Sequence, residues 1–429
     1  MALGRPSAAD AERARGINLN PVLLKAVPHD SEAEKEMKVS ATLEKVHEVP
    51  FHRAAVGVEE IAAVTEVIRS GWLTMGPKTI EFEKQFAAYV GARHAIAVCS
   101  GTAALHLALD ASAIQPGDEV LIPAMTFTAT GEVVKYLGAR PVLVDIEPHT
   151  MNIDVQDAAR KVTSRTRAII PVHLGGQPCD MDEIHSLARE HNLHVVEDAA
   201  HALPSKYQGA MIGSISEFTA FSFYATKTLT TGEGGMITTD NDAYAKRLRL
   251  MRLHGIAGDA WKRYGKNGTW RYEVVEAGYK YNLTDLQSAI GLVQLAKSDA
   301  MNDARWRIAE RYTAAFERIP ILEPPRVEPD RESSWHLHVL RLHLDGMKLD
   351  RDAFVNELRE RGVGTSVHFI PLNLHPFYQK TYGYGPGDCP AAEAEFERCL
   401  SLPIYPGMDN SAVEHVIDAV TEVSKRAKR

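Results

Sequence analysis

The chain runs to 429 residues, too long for one small core and long enough for two domains. With 45% apolar and 24% charged residues it has the make-up of a soluble globular enzyme, and no run of about 18 apolar residues marks a membrane span. A net charge of −8 argues against nonspecific binding to nucleic acid or to a membrane surface.

Residues 1 to about 48 stand apart. They carry Arg5, Arg13, Arg15, scattered prolines and the run Ser31-Glu32-Ala33-Glu34-Lys35-Glu36, without the continuous apolar stretch of a secretory signal. This composition predicts a mobile N-terminal extension, with an arm wrapping a partner subunit as the sharper alternative. From about residue 54 the pattern alternates. Helical spacing runs through Val58–Val64 and again from Ile80 to Tyr89, and short buried strands follow at 95–99, 119–123, 141–145, 167–172, 194–198 and 218–224. Helices between most of them predict a mostly parallel α/β sheet. A helix-rich stretch from about 283 to 318 ends near Pro320. Beyond it, 335–342 alternates like a half-exposed strand, followed by a helix (350–361), a strand (364–370) and a closing helix (410–427). The predicted organisation is an extension (1–48), a large domain (49–299) and a smaller C-terminal α/β domain (300–429). His336 and His338 would share one strand face; no third ligand has metal-site spacing, so no metal is expected. Cys99, Cys179, Cys389 and Cys399 form no C-x-x-C motif or disulfide framework, which fits a reducing, cytoplasmic setting.

Lys227 is the most informative residue. It ends the apolar, aromatic run Phe221-Ser222-Phe223-Tyr224-Ala225-Thr226-Lys227 and precedes Gly232-Glu233-Gly234-Gly235. A lysine at the rim of an apolar sheet is partly desolvated, so its pKa falls and its neutral amine can form a Schiff base with an aldehyde. That is the resting linkage of pyridoxal-phosphate (PLP) enzymes. An isolated lysine there would more often simply snorkel, so its companions decide. PLP requires N–H donors for its phosphate, an acid for its pyridine nitrogen and a flat face for its ring. The segment Ala95–Leu107 reads as a strand, then Ser100-Gly101-Thr102, then an Ala/Leu helix whose N-terminus, at Thr102 and Ala103, would face an anion. An ordinary helix cap gives the same local pattern. Ser222 could add a hydroxyl. The acid is sought in His194-Val195-Val196-Glu197-Asp198-Ala199-Ala200-His201, at the carboxyl end of a strand. Asp198 is the choice, Glu197 the competitor, and alternation along a strand lets only one of them serve. His201 could buttress a ring substituent. Phe127, at the end of another strand, offers a stacking face, although a lone phenylalanine is more often core.

Taken in chain order, these phrases resemble the DegT/DnrJ/StrS family of PLP-dependent sugar aminotransferases. Gly71-Trp72-Leu73-Thr74 with Gly76-Pro77, Gly278-Tyr279-Lys280-Tyr281-Asn282-Leu283-Thr284-Asp285, Gly364–Phe369 and Ser401-Leu402-Pro403 add to the match, which covers about residues 50 to 425. The resemblance implies a fold-type-I PLP-dependent transferase. Lys227 matches the Schiff-base lysine, Asp198 the pyridinium partner and Phe127 the stacking position. Thr102, Ala103 and Ser222 match the phosphate contacts. Family members are homodimers that borrow active-site residues, and the 278–285 segment resembles that loan. Relatives often carry Asn before Tyr and a basic residue after it. Here Lys280 precedes Tyr281 and Asn282 follows, and either could reach the phosphate. Trp72, Thr74, Lys280 and His368 fall at candidate substrate positions, and Asn373 stands where relatives often have His. The implied reaction takes an amino group from L-glutamate, releasing 2-oxoglutarate, and places it on a keto-sugar nucleotide, in amino-sugar biosynthesis for a polysaccharide or a secondary metabolite. A related 3-dehydratase has His in place of the lysine, which Lys227 disfavours. Other fold-type-I enzymes lack the phrases at Trp72, Asn282 and His368, and a PLP-binding regulator of DNA would want a basic patch that is not apparent.

Overall fold

A computed structural model of the chain describes residues 48–257 and 272–429. The expectation of an N-terminal extension falls, but for residue 48, outside them. The centre is a seven-stranded sheet built from β1 (His94–Val98), β2 (Glu119–Pro123), β3 (Arg140–Val144), β4 (Thr166–Ile169), β5 (His194–Asp198), β8 (Phe218–Ser222) and β9 (Gly235–Thr239). Its order is β1-β9-β8-β5-β4-β2-β3. The strands β6 (Lys206–Tyr207) and β7 (Ala210–Met211) lie between β5 and β8 in the chain and form a hairpin whose β6 pairs with β11 (Arg331–Glu332) instead. Neighbours from β8 to β3 run parallel, whereas β9 is antiparallel to both β1 and β8. The mostly parallel α/β sheet is therefore present, with one antiparallel insertion. Gly234-Gly235 marks where the chain turns back into β9.

Alternation along the strands divides their side chains between two cores. Ile96 and Val98 of β1, Val120 and Ile122 of β2, and Val196 of β5 pack with the helix Gly101–Ala111. Ala95, Ala97, Leu121 and Val195 face the other way, onto the helices Pro77–Val90 and Met181–His191. Both faces are thus buried, as parallel strands require, and helices cover each of them. A third core gathers Val49, Tyr312, Phe316, Phe354, Leu358 and the apolar face of the helix Asn410–Ala427 around a three-stranded antiparallel sheet. That sheet orders β10 (Leu322–Glu323), β12 (His338–Leu342) and β13 (Cys399–Leu402). The helix Asp285–Phe316 runs from one core to the other, with Leu295 in the second and Ile308 to Phe316 in the third. Its start is fixed by a capping box in which Thr284 and Gln287 satisfy each other's main-chain N–H.

Two expected elements differ. Residues 364–370 form no strand; an isolated bridge, Val363↔Val49, precedes them, and Ser366 alone bridges to Ser401 of the three-stranded sheet. The stretch 335–342 is buried throughout rather than half-exposed, and regular pairing begins only at His338. Trp335, at φ 49°, bends the chain just before the strand, so period-2 logic does not extend back to His336.

Candidate active site

The carboxyl ends of β5 and β8 meet the start of the helix Gly101–Ala111, and the sequence dictates how closely. A Cβ on Gly235 would stand 2.4 Å from the Ser100 carbonyl oxygen, and one on Gly101 would stand 2.8 Å from Ser222 Cβ. Glycine at both positions lets the main chains touch, which brings the Ser222 hydroxyl to the helix N-terminus. Ser100 caps that helix by accepting the Ala103 N–H at 3.0 Å. Ala103 is thereby occupied, and the N–H groups of Gly101 and Thr102 are the ones left facing outward.

Beyond β8 the chain makes a tight loop rather than continuing as a strand. Phe223 accepts from Thr231 N at 3.0 Å and donates to Gly234 O at 2.8 Å, while Lys227 N bonds Tyr224 O at 2.9 Å. His52 donates from Nε2 to Ala225 O at 3.0 Å and pins the loop from outside. Lys227 sits on this loop, five residues past the strand end. Burial lowers its ammonium pKa to about 8, with the Asp198 charge working in the opposite sense. A substantial fraction of its amine is therefore neutral, and nucleophilic, near physiological pH.

Asp198 ends β5 and is buried. It accepts from Thr130 Oγ1 at 2.8 Å and from Ala200 N at 3.2 Å, and burial raises its pKa despite those donors. Glu197 lies on the opposite face, where it accepts from His173 Nε2 at 2.8 Å and Thr219 Oγ1 at 2.9 Å. His201 is also buried; its Nδ1 accepts the Gly175 N–H at 3.3 Å, so its proton resides on Nε2. Burial holds its pKa well below the usual imidazole value, with Lys227 adding to the effect. Phe127, by contrast, is 59% exposed and is no core residue. Its ring lies 6.0 Å from Phe369, which in turn lies 6.0 Å from His201.

His368 joins the same group. Its Nδ1 is 2.8 Å from Ser401 Oγ, and burial, with Lys227 nearby, depresses its pKa to about 4. His336, which alternation places on one strand face with His338, has its ring 4.4 Å from His201 and is buried within reach of Lys227. His338 is instead a core residue, stacked on Trp335 at 6.0 Å and edge-on to Tyr312 at 5.2 Å. No sequence signal separated these two histidines; the turn at Trp335 does.

The 278–285 segment binds the rest of the site together. Asn282 forms a bridge with Val98, and Cys99 N bonds Tyr281 O at 2.7 Å, which sets the segment beside the Ser100 turn. Lys280 Nζ donates to Asn282 Oδ1, so the two candidates for one contact are joined to each other. Asp285 Oδ1 accepts from Gly76 N (2.7 Å), Thr79 N (3.0 Å) and Thr79 Oγ1 (2.8 Å), and Oδ2 from Lys78 N (3.2 Å). It thus caps the helix Pro77–Val90 from a distant part of the chain, a role the sequence did not suggest. Trp72 and Thr74 belong to the turn it holds: Trp72 Nε1 donates to Met75 O at 3.2 Å, and Thr74 O accepts from Asp285 N at 3.2 Å. Asn373 is a buried brace, donating to Gly385 O (3.0 Å) and Glu393 Oε1 (2.7 Å).

The arrangement offers a nucleophilic amine, a buried carboxylate, an anion-facing helix end and an exposed aromatic face, gathered at strand ends. Comparison with known proteins shows the family. The model of the DegT/DnrJ/EryC1/StrS aminotransferase family matches residues 55–421. The spore coat polysaccharide biosynthesis protein SpsC of Bacillus subtilis is 50% identical over 382 residues, which span 89% of this chain and 98% of that protein. Spr1654 of Streptococcus pneumoniae, solved in PMP and PLP forms, is 34% identical; its PMP form superposes with a TM-score of 0.83 over 88% of this chain and all of that one. PseC of Helicobacter pylori, an aminotransferase involved in pseudoaminic acid biosynthesis, is 27% identical with a TM-score of 0.82, over 88% of this chain and 100% of that one.

Proposed function

The chain belongs to the DegT/DnrJ/EryC1/StrS aminotransferase family, and from that membership we propose that it moves an amino group from L-glutamate to a keto-sugar nucleotide. Its cofactor is pyridoxal 5′-phosphate. The observation that carries the reading is the convergence of Lys227, Asp198 and the Ser222-flanked helix start at adjoining strand ends.

The residues present fit that cofactor. The outward N–H groups of Gly101 and Thr102 with the Ser222 hydroxyl suit its phosphate. Asp198 suits its ring nitrogen, since two donors already orient the carboxylate and leave lone pairs for a third. Phe127 offers an exposed face for stacking, and His201, across the Phe369 ring, a neutral Nε2–H. When bound, PLP supplies an electron sink for the negative charge left at a substrate carbon. Lys227 Nζ takes the proton from the donor Cα in the first half-reaction and returns one to the acceptor carbon in the second. Asp198 keeps the ring nitrogen protonated throughout.

Trp72, Thr74, Lys280 and His368 are assigned to the sugar-nucleotide side, with Lys280 or Asn282 reaching a phosphate across a dimer. Support for a homodimer is the apolar surface of the helix Val58–Ser70, where Val58, Ile61 and Ile68 are exposed. The kinship to SpsC favours a polysaccharide pathway, and four free cysteines suit the cytoplasm. The test is an absorption spectrum of the PLP-loaded protein, followed by L-glutamate and then a panel of keto-sugar nucleotides. Loss of the visible band on adding glutamate, and its return with one of those sugars, is the expected result. A band that glutamate leaves unchanged would overturn the donor assignment.

A further inference from the structure

Arg305 lies about two thirds of the way along the helix Asp285–Phe316 and is only 2% exposed. A guanidinium presents five N–H donors and stays protonated, so a buried one ordinarily has a carboxylate partner. Elsewhere among the described residues Arg252 pairs with Glu83, and Arg341 with Glu323 at 2.7 Å. Arg305 departs from this pattern. Among the described residues its side chain makes no ion pair and no hydrogen bond, and Nε is a buried donor without an acceptor.

Its surroundings locate it. The Arg305 charge reaches His52 and His336. His52 bonds the carbonyl of Ala225, two residues before Lys227, and the His336 ring packs 4.4 Å from His201. Arg305 thus acts on one residue that holds the loop carrying Lys227 and on another that the Lys227 charge also reaches. The histidines of this cluster, His201, His336 and His368, are held neutral chiefly by burial. Of the groups acting on one another there, Arg305 and Lys227 are the cations and Asp198 the carboxylate.

We infer that Arg305, buried and without a partner among the described residues, binds a carboxylate of the amino-acid donor. A planar fork matches a carboxylate with two parallel bonds, and a low-dielectric setting strengthens the pair. A guanidinium this deep suits a small anion that enters with the reacting carbon, whereas the diphosphate of a nucleotide is bulky and needs an open groove. The donor and the oxo acid it becomes share that carboxylate, so one site serves both directions. The inference rests on the aminotransferase reading above.

Two variants of the PLP-loaded enzyme test it. Arg305→Met keeps bulk without charge, an exchange that buried sites tolerate, and Arg305→Lys keeps charge without the fork. Three quantities are measured: half-saturation by L-glutamate in the single-turnover absorbance change, half-saturation by the keto-sugar nucleotide in the second half-reaction, and calorimetric binding of glutarate, an unreactive dicarboxylate. Arg305→Met should weaken glutamate and glutarate by about 10- to 100-fold, as loss of a charge-assisted pair does, while the sugar changes less than about twofold. Arg305→Lys should fall between. Unchanged glutamate and glutarate constants in a folded variant would overturn the inference, and so would a loss confined to the sugar nucleotide, which would make the partner a phosphate. If the wild-type enzyme fails to convert glutamate, the proposed function fails, and the glutarate titration still decides Arg305.

Discussion

Asp285 links the segment beside the Ser100 turn to the turn that carries Trp72, and its removal has a calculable cost. Its two oxygens accept four bonds, three on Oδ1 and one on Oδ2, and the residue is 2% exposed. In Asp285→Ala the N–H groups of Gly76, Lys78 and Thr79 lose an acceptor, those of Gly76 and Thr79 in a buried site. Loss of a helix cap costs about 1 kcal/mol, and hydrogen bonds to a charged group contribute about 1.5–3 kcal/mol, so about 3 kcal/mol is expected. Unfolding entropy of about 2.1 cal/mol/K per residue over a chain of this length makes that a fall of ~3 °C in Tm. Asp285→Asn separates the contributions. Its amide oxygen can take the place of Oδ1 and keep three bonds, while its NH₂ meets the Lys78 N–H donor to donor, for a cost of about 1–2 kcal/mol. Denaturant titration of the three proteins should therefore rank wild type above Asn above Ala. Equal midpoints for Ala and wild type would refute the capping argument, and equal midpoints for Asn and Ala would refute the division between the two oxygens.

The Lys227 ammonium is destabilised by burial, so its neutral form is available from about pH 8 upward instead of only above the ordinary lysine range. PLP uptake by the apo-protein, followed by stopped-flow absorbance, should accelerate about tenfold per pH unit below 8 and level off above it; a flat profile between pH 6 and 9 would contradict this. Lys227→Ala should show no visible band under the same conditions. Asp198→Asn should lower kcat by about 100-fold or more with the protein still folded, since a buried charge aimed at the reacting system is lost. Unchanged kinetics in that variant would move the role elsewhere.

What could be read from the sequence was whatever local chemistry determines. The buried strands that become β1, β5 and β8, the cap at Ser100 and the lysine among glycines each follow from a few adjacent residues, although β8 stops at Ser222, short of the predicted 224. What could not be read depended on distant partners. β9 was hidden because Gly234-Gly235 looks like loop, and only contact with the Ser100 turn explains why a strand must begin with glycine there. Residues 364–370 have strand composition but touch the three-stranded sheet only through the single bridge Ser366↔Ser401, so no ladder forms. His336 and His338 differ by a backbone turn that no alternation rule foresees, and Asp285 and Arg305 act across more than 200 and 250 residues of chain on Gly76 and His52.

Glu197 and Asp198 pose the remaining choice, since either carboxylate could have been the acid at this strand end. His173 accepts the Cys179 N–H on Nδ1 at 3.0 Å, so the proton on its Nε2 points at Glu197. With Thr219 on its other oxygen, Glu197 is committed to the interior, in a fully buried network with no route to a ligand. Asp198 receives a hydroxyl on one oxygen and a single main-chain N–H on the other, which orients it without exhausting its lone pairs. Two neighbouring carboxylates thus divide their work by the strand's alternation: one holds the fold, the other faces the site. Glu197→Gln preserves shape and one acceptor but removes the charge that His173 and Thr219 solvate, and should lower stability by about 2 kcal/mol. Its absorption band with PLP and its response to glutamate should match wild type, the reverse of Asp198→Asn. If Glu197→Gln instead shifts the band while leaving the unfolding midpoint in place, the assignment of the two carboxylates must be exchanged.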